Sequence, residues 1–347
     1  YYRCGPGDSG GEMCATQSVN LKKLWVDESD NRTHLASDDV KEWVCDDFTQ
    51  SRCVMWREFC KNFSHDSGFW WMDLGGGWYD APEMTAEVSR MVKTNDLLRS
   101  LKHESVADVL VLVDEECIGN MSISADLRCG FMEDYLSELH HSGTVSDIYR
   151  LRDLKSLDLK KYKMIVFAYT FKVNEDERRY IKENVQDSTL LVFHHAAGIN
   201  KNGNVSLDNV LDFTGFEMAE AKTENGYDFA EVKVVDKDAK VLFENSDGTA
   251  KASIKENKVA VTSPFMTAEE IRELAKRAGC HIYTDTGIAL WSDNRITGAF
   301  VKNRLSGNIV FPKKATYIEQ LSGKIFENIS KICLDELNTN AAVFIKK

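Results

Sequence analysis

The stretch VADVLVLVDEE, residues 106–116, restricts the fold more than any other part of the chain. Its apolar run is nearly continuous, whereas a strand with one wet face alternates. A strand of this kind is buried on both faces, as in a parallel sheet sandwiched between helices. KMIVFAYTF (163–171) and STLLVFHHAAG (188–198) repeat the pattern, and SDIYRL (146–151) is a further strand. Helical patterns fall between them, at about 125–140 and 175–184. NKVAVTSPF, a helix over 267–278 and CHIYTD continue the alternation, and residues 227–258 read as hairpins with NSDGT as a turn. Strand–helix alternation of this length predicts a doubly wound, flavodoxin-like α/β domain over residues 104–285.

The first hundred residues carry a shorter version of the same alternation. In KLWVDESDNRTH (23–34), the apolar run Leu24-Trp25-Val26 stops abruptly and Asp27, Glu28, Asp30 and Arg32 follow. Ser37 or Asp38 is positioned to cap a helix running to about Asn62. Val40, Trp43, Val44, Met55, Trp56, Phe59, Cys60 and Phe63 form its apolar stripe, mostly at three- and four-residue steps. GFWWMDLGGGWYDAPE (68–83) then gives an aromatic strand, Asp73, three glycines and a second helix to about Leu101. From about Thr286 the pattern changes to short alternating segments such as ALWSD, ITGAFVKN and NAAVFIKK. These predict a small antiparallel β-sandwich over residues 286–347.

Composition excludes several classes. The formal net charge of −12 leaves no basic field for nucleic-acid phosphates, and no apolar run approaches the ~20 residues of a membrane span. With 43% hydrophobic residues in 347, two or three cored domains are expected. YYRCGPGDSGGEMCATQ has neither a charged n-region nor an apolar h-region, so these residues are not a signal peptide; the compartment stays open, with a soluble, cytoplasmic location slightly favoured. Nine scattered cysteines without a C-x-x-C pair argue against zinc ribbons and redox motifs and for buried free thiols. No metal and no cofactor are expected.

Four motifs invite chemistry. GPGDSGG (5–11) matches G-x-G-x-x-G, but no strand precedes it and Pro6 interrupts it, so it reads as a loop. DESDNRTHLASD (27–38) has carboxylates spaced somewhat like a calcium loop, yet Arg32 stands where the sharp turn needs glycine. VFHHAAG (192–198) sits where a strand-to-helix nucleophile elbow would lie in an amidotransferase- or peptidase-like fold. The turn offers His194, His195 and alanines in place of the Cys or Ser such chemistry requires, which disfavours an amidotransferase-like hydrolase. The aromatic set Trp70, Trp71, Trp78 and Tyr79 has two readings. It is core packing, or it is a platform for the C–H face of a sugar ring, with Asp73 accepting hydroxyl hydrogen bonds. Glu28, at the C-terminal end of a strand, stands at the edge that carries catalysis in α/β barrels.

KLWVDESDNRTH and GFWWMDLGGGWYDAPEM together resemble the last two barrel strands of glycoside hydrolase family 42-like β-galactosidases. Residues 106–283 resemble the flavodoxin-like trimerisation domain of that family. AGCHIYTDTGIALWSDNRITG onward resembles its C-terminal β domain. The resemblance implies three segments: a (β/α)8 barrel remnant over 1–103, the flavodoxin-like domain over 104–285 and the β domain over 286–347. It implies a retaining mechanism on a β-galactoside-like glycan, with Glu28 as nucleophile. Trp70, Trp71 and Asp73 become the sugar-site wall, and Trp78, Asp30 and Arg32 loop contacts. It also implies a homo-oligomer, a trimer in the family. An eight-stranded barrel needs roughly 200 residues or more, so the acid/base carboxylate has no counterpart here. The expectation is the C-terminal portion of a longer hydrolase, inactive alone. The alternative is a non-catalytic oligomerisation or carbohydrate-binding protein whose amidotransferase-like domain lacks its nucleophile.

Overall fold

A computed structural model describes residues 5–10, 15–36, 44–114, 116, 135–168, 170–221, 232–263 and 266–347. The chain divides into two compact units. One comprises Tyr1–Ala107, Leu136–Val145 and His281–Lys347, the other Asp108–Tyr135 and Ser146–Cys280. Residues 286–347 therefore share a unit with the first hundred residues.

The first unit begins with a helical turn α1 (Thr16–Asn20), strand β1 (Val26–Ser29), helix α2 (Phe48–Ser64), strand β2 (Gly68–Trp71) and helix α3 (Pro82–Leu98). β1 and β2 pair in parallel. The predicted cap residues Ser37 and Asp38, with Val40 and Trp43, lie outside the described residues. The predicted helix nevertheless starts too early. Val44 forms a parallel bridge with Arg32, and the Cys45 amide donates to the Arg32 carbonyl. The first helical residue is Phe48, because the Asp47 carboxylate accepts from the Gln50 amide at 2.9 Å and caps the helix there.

α2 is buried on two sides by opposite chemistry. Cys53, Trp56, Phe59, Cys60 and Phe63 join Met84, Met91 and Leu98 of α3 in one apolar cluster. The same cluster takes in Ala289, Trp291, Ile296, Phe300, Ala341, Val343 and Ile345. Those residues come from a five-stranded antiparallel sheet ordered 289–292, 296–300, 341–346, 308–319, 325–333. The predicted sandwich is thus a single sheet among the described residues, and α2 provides its facing layer. The sequence pattern misleads because this sheet is apolar on both sides: its other face holds Leu290, Ala299, Ala342 and Phe344 with Tyr283, Leu305 and Leu334. Gly298 permits the close approach of helix and sheet, since a Cβ there would stand 2.8 Å from the Cys60 sulfur.

The second side of α2 faces β1 and is ionic. Arg57, Glu58 and Lys61 are each exposed by 1% or less. The Lys61 Nζ lies 2.8 Å from Asp27 Oδ2 and 2.7 Å from Glu58 Oε2. The Arg57 guanidinium binds Glu58 Oε1 at 2.8 and 3.0 Å and donates to the carbonyls of Gly5 and Asp8. Residues 5–8 are therefore a packed turn, whose carbonyls are engaged from within the protein. Burial pushes the Glu58 carboxyl up, but Lys61 and Arg57 together outweigh it and hold the group below its usual value.

The second unit holds a seven-stranded sheet ordered 240–244, 250–255, 258–261, 190–194, 164–168, 109–113, 146–150. The last five strands in that order run parallel, and 240–244 and 250–255 are added antiparallel. Counted along the chain, the parallel strands have the order 2-1-3-4-5, one of the two common doubly wound arrangements. The strands 109–113 and 164–168 are buried at every position, as their continuous apolar runs require. The turn 245–249 joins the two antiparallel strands, with the Asn245 amide bonded to the Thr249 carbonyl. The helix Ala268–Arg277 opens on a capping box in which Thr267 and Glu270 each accept from the other's backbone amide. Cys117, Cys129 and most of the helix predicted over 125–140 lie outside the described residues; the described part is helical from Tyr135 to His141.

A buried ion network fails when one partner is neutralised. Glu58→Gln leaves Arg57 and Lys61 with one anionic partner fewer and is expected to cost about 3–5 kcal/mol. A urea midpoint should fall accordingly, while the exposed Glu183→Gln moves it by no more than about 0.5 kcal/mol equivalent.

Candidate functional site

The β1–β2 ribbon sorts the sequence-predicted residues by face. In a parallel pair, residues in register project to the same side. Asp27 pairs with Phe69 and Ser29 with Trp71, and this side turns toward the core. Val26 pairs with Gly68 and Glu28 with Trp70 on the opposite side. Here Val26 is 51% and Trp70 49% exposed, and Glu28 is half-buried. Leu24 and Leu74, just before and after the strands, are exposed as well.

Glu28 is thus brought beside Trp70 but not beside Trp71. Trp71 lies edge-on to Phe69 at 5.0 Å and tilted against Tyr79 at 5.5 Å, and both Phe69 and Trp71 pack on the α2 cluster. The two adjacent tryptophans divide between the two readings of the aromatic set: one is packing, the other faces outward. Among the described residues, the Glu28 carboxylate makes no hydrogen bond or ion pair. Its neighbour Asp27 is held by Lys61 and Asn62 on the far side of the strand. The carboxylate cluster after β1 therefore separates into a structural acid facing the helix and a free acid facing away.

The remaining candidates organise the loops. Asp73 is exposed and closes the glycine turn, accepting from the Gly77 amide at 2.9 Å and the Trp78 amide at 3.2 Å. Gly76 and Gly77 sit at φ 74° and 88°, a backbone that only glycine adopts without strain. Trp78 is buried, and its carbonyl accepts from the Thr33 hydroxyl. The Tyr79 hydroxyl donates to the Asn31 carbonyl at 3.2 Å. Asp30 is buried just beyond β1, its amide bonded to the Glu28 carbonyl. Arg32 is half-buried within the bridge to Val44. The residues that sequence reasoning missed are Arg57, Glu58 and Lys61. The available clue was three charged residues set among the apolar ones of that helix.

In the second unit, the strand Leu190–His194 ends in a turn where His195 has φ 51°, a strained position for a residue with a side chain. The turn leads into a short hairpin, Asn200–Lys201 with Asn204–Val205, before the helix Leu207–Thr214. The predicted direct strand-to-helix elbow is therefore interrupted by this hairpin. Gly198 donates to the Thr170 carbonyl and its own carbonyl accepts from Arg178 at 2.6 Å. Both imidazoles are buried. Burial and the adjacent His195 push His194 down to about 3, and burial pushes His195 down to about 4. They stay neutral and offer no cation to activate a substrate. The buried cysteines are equally inert: burial pushes the Cys45 thiol up to about 11 and the Cys53 and Cys280 thiols up to about 12.

No protein-family model and no curated protein matches the chain. Solved structures do. A β-galactosidase from Bacillus circulans sp. alkalophilus aligns over 86% of this chain and 52% of its own, with TM-score 0.60 and 14% identity. A β-galactosidase from the psychrophilic Marinomonas ef1 aligns over 95% and 54%, with TM-score 0.61 and 12% identity. A catalytic mutant of a GH42 β-galactosidase from G. stearothermophilus aligns over 84% and 50%, with TM-score 0.58 and 13% identity. The chain has the fold of part of a GH42-like β-galactosidase and spans about half the length of these structures. Among the described residues, no helix is long and apolar enough to cross a membrane.

The histidine pair sets a pH dependence. Unfolded histidines bind protons below about 6.5, whereas the folded pair stays neutral down to about 4 and about 3. Stability contributed by the pair is complete above the unfolded value and falls on acidification. The slope is about 1.4 kcal/mol per pH unit for each histidine. Urea midpoints measured between about pH 7 and pH 5 should fall for the native chain and fall less steeply for His194→Gln.

Proposed function

We propose that residues 1–347 are the C-terminal portion of a retaining glycoside hydrolase acting on β-galactoside-like glycans. The single observation that carries the reading is the pairing of Glu28 with Trp70. A carboxylate with no partner among the described residues stands beside a half-exposed indole, on the outward face of a parallel strand pair. An indole face suits the C–H face of a pyranose, and an unpaired carboxylate is available to attack an anomeric carbon. In this reading Glu28 is the nucleophile and Trp70 the sugar platform. Asp73 shapes the loop through Gly77 and Trp78, and Asp30 and Arg32 support the rim. Trp71 and Trp78 act by packing, behind the sugar-facing side.

A retaining mechanism needs a second carboxyl group ~5–5.5 Å from the first, to protonate the leaving oxygen and then activate water. The reading assigns that group to the half of the matched fold that this chain does not span. A parallel pair exposed on one face also fits this assignment, because parallel sheets are covered on both faces. The unit Asp108–Tyr135 with Ser146–Cys280 takes the role of the flavodoxin-like domain, which we assign to assembly of a homo-oligomer, a trimer by analogy. The turn at His194–Gly198, with neutral imidazoles and no nucleophile, supports a non-catalytic role for this unit. The same observations favour a second reading, carbohydrate binding or assembly without turnover.

Covalent trapping separates the two. In a polypeptide that carries these residues within a complete barrel, a 2-fluorogalactoside should add one glycosyl group to the intact mass. Glu28→Gln should abolish the adduct and leave the circular dichroism unchanged. An undiminished adduct in the variant removes Glu28 from the nucleophile role. Residues 1–347 alone should not cleave aryl β-galactosides; sugar-induced quenching of tryptophan fluorescence without turnover would support the binding reading.

A further inference from the structure

A cavity of about 180 Å³ lies within the first unit, on the face of the antiparallel sheet opposite α2. A local irregularity opens it. The strand Asn308–Glu319 pairs Val310 with Lys331 and then Ala315 with Ile329, so extra residues bulge out around Phe311–Lys314. Bulges of this kind re-aim side chains and concentrate near functional sites. Phe311 stacks on Tyr317 at 3.9 Å and 14°, and Phe344 meets Phe311 edge-on at 5.6 Å. Against these aromatic walls stand the hydroxyls of Ser292 and Thr297, 2.7 Å apart.

The charge of the lining is unusual for this chain. Asp293 is already engaged: Arg295 binds one of its oxygens at 2.7 and 2.8 Å, and the amides of Arg295 and Ile296 bind the other. Lys313 and Lys346 also line the cavity, are exposed, and make no ion pair among the described residues. Lys314, beside them, is exposed and likewise without an ion pair among the described residues. A protein of net charge −12 therefore presents an uncompensated cationic mouth over an aromatic cleft.

We propose that this cleft binds a sugar acid, a single pyranose ring bearing a carboxylate. The volume is about 180 Å³. It is below the ~300–1,000 Å³ of drug-sized sites, so it takes one ring and not a chain. The ring's C–H face suits the aromatic walls, its hydroxyls suit Ser292 and Thr297, and its carboxylate suits Lys313 and Lys346. The site stands apart from the β1–β2 rim and does not depend on Glu28.

Calorimetric titration of the full chain with galacturonate, galactose and benzoate tests it. Galacturonate should bind saturably and weaken as salt is raised. Galactose should bind much more weakly. The double variant Lys313→Gln/Lys346→Gln should lose roughly tenfold in galacturonate affinity, with an unchanged unfolding midpoint. Trp70→Ala should leave galacturonate binding intact. No saturation by galacturonate overturns the site, as does equal affinity for galactose. Loss of binding in Trp70→Ala with retention in the lysine variant places the ligand at the rim and overturns it too. Benzoate binding as tightly as galacturonate overturns the sugar assignment.

Discussion

The arrangement of the first unit depends on the ion network between α2 and β1. Lys61 bridges Asp27 and Glu58, and Arg57 closes the set onto Glu58 and the turn at Gly5–Asp8. Charges this deeply buried are tolerated only when each has a partner. The network therefore admits one register of the helix against the strand. Strand alternation does the rest: with Asp27 pointing at Lys61, Glu28 must point the other way. The free carboxylate at the rim is a consequence of its neighbour being tied down.

The ribbon itself is physically incomplete as a sheet. Two parallel strands with exposed Val26 and Trp70 on one side are marginal by themselves. What stabilises them here lies on the other side, where α2 and Phe69 form a core. The outward side keeps the properties of a surface meant to meet something: apolar area around a carboxylate. Under the proposed function, that combination suits a substrate wall, where burial of the ligand's apolar face and interaction with its polar groups occur together.

Much of the second unit was legible in the sequence, because VLVLV and MIVFA can only be strands buried on both faces, and Thr267 with Glu270 writes a helix start directly. The first unit was less legible. The α2 start depended on whether Asp47 or an earlier residue would cap, a local competition that composition does not decide. The strands at 289–346 read as a small sandwich because both faces of their one sheet are apolar, and nothing local says that a covering layer is a helix some 230 residues earlier. Trp70 and Trp71 were read together, as core packing or as a platform, although alternation alone sends them to opposite faces. Arg57, Glu58 and Lys61 drew no attention in the sequence, because the strand carrying Asp27 that covers them lies some thirty residues away. In each case the missing information was a long-range pairing, which no window of sequence contains.

Those long-range pairings also distinguish the two units. The strands of the seven-stranded sheet find their neighbours within about a hundred residues. The apolar stripe of α2 is different. Its partners Trp291, Phe300, Val343 and Ile345 lie more than two hundred residues downstream. Until the end of the chain is available, Trp56, Phe59 and Phe63 have no sheet to cover them, and exposed apolar stripes of that size promote association. The ion network binds the other side of the helix, where Glu58 and Lys61 hold α2 against Asp27 of β1. The polar side of this helix thus fixes the position of Glu28 in the folded protein.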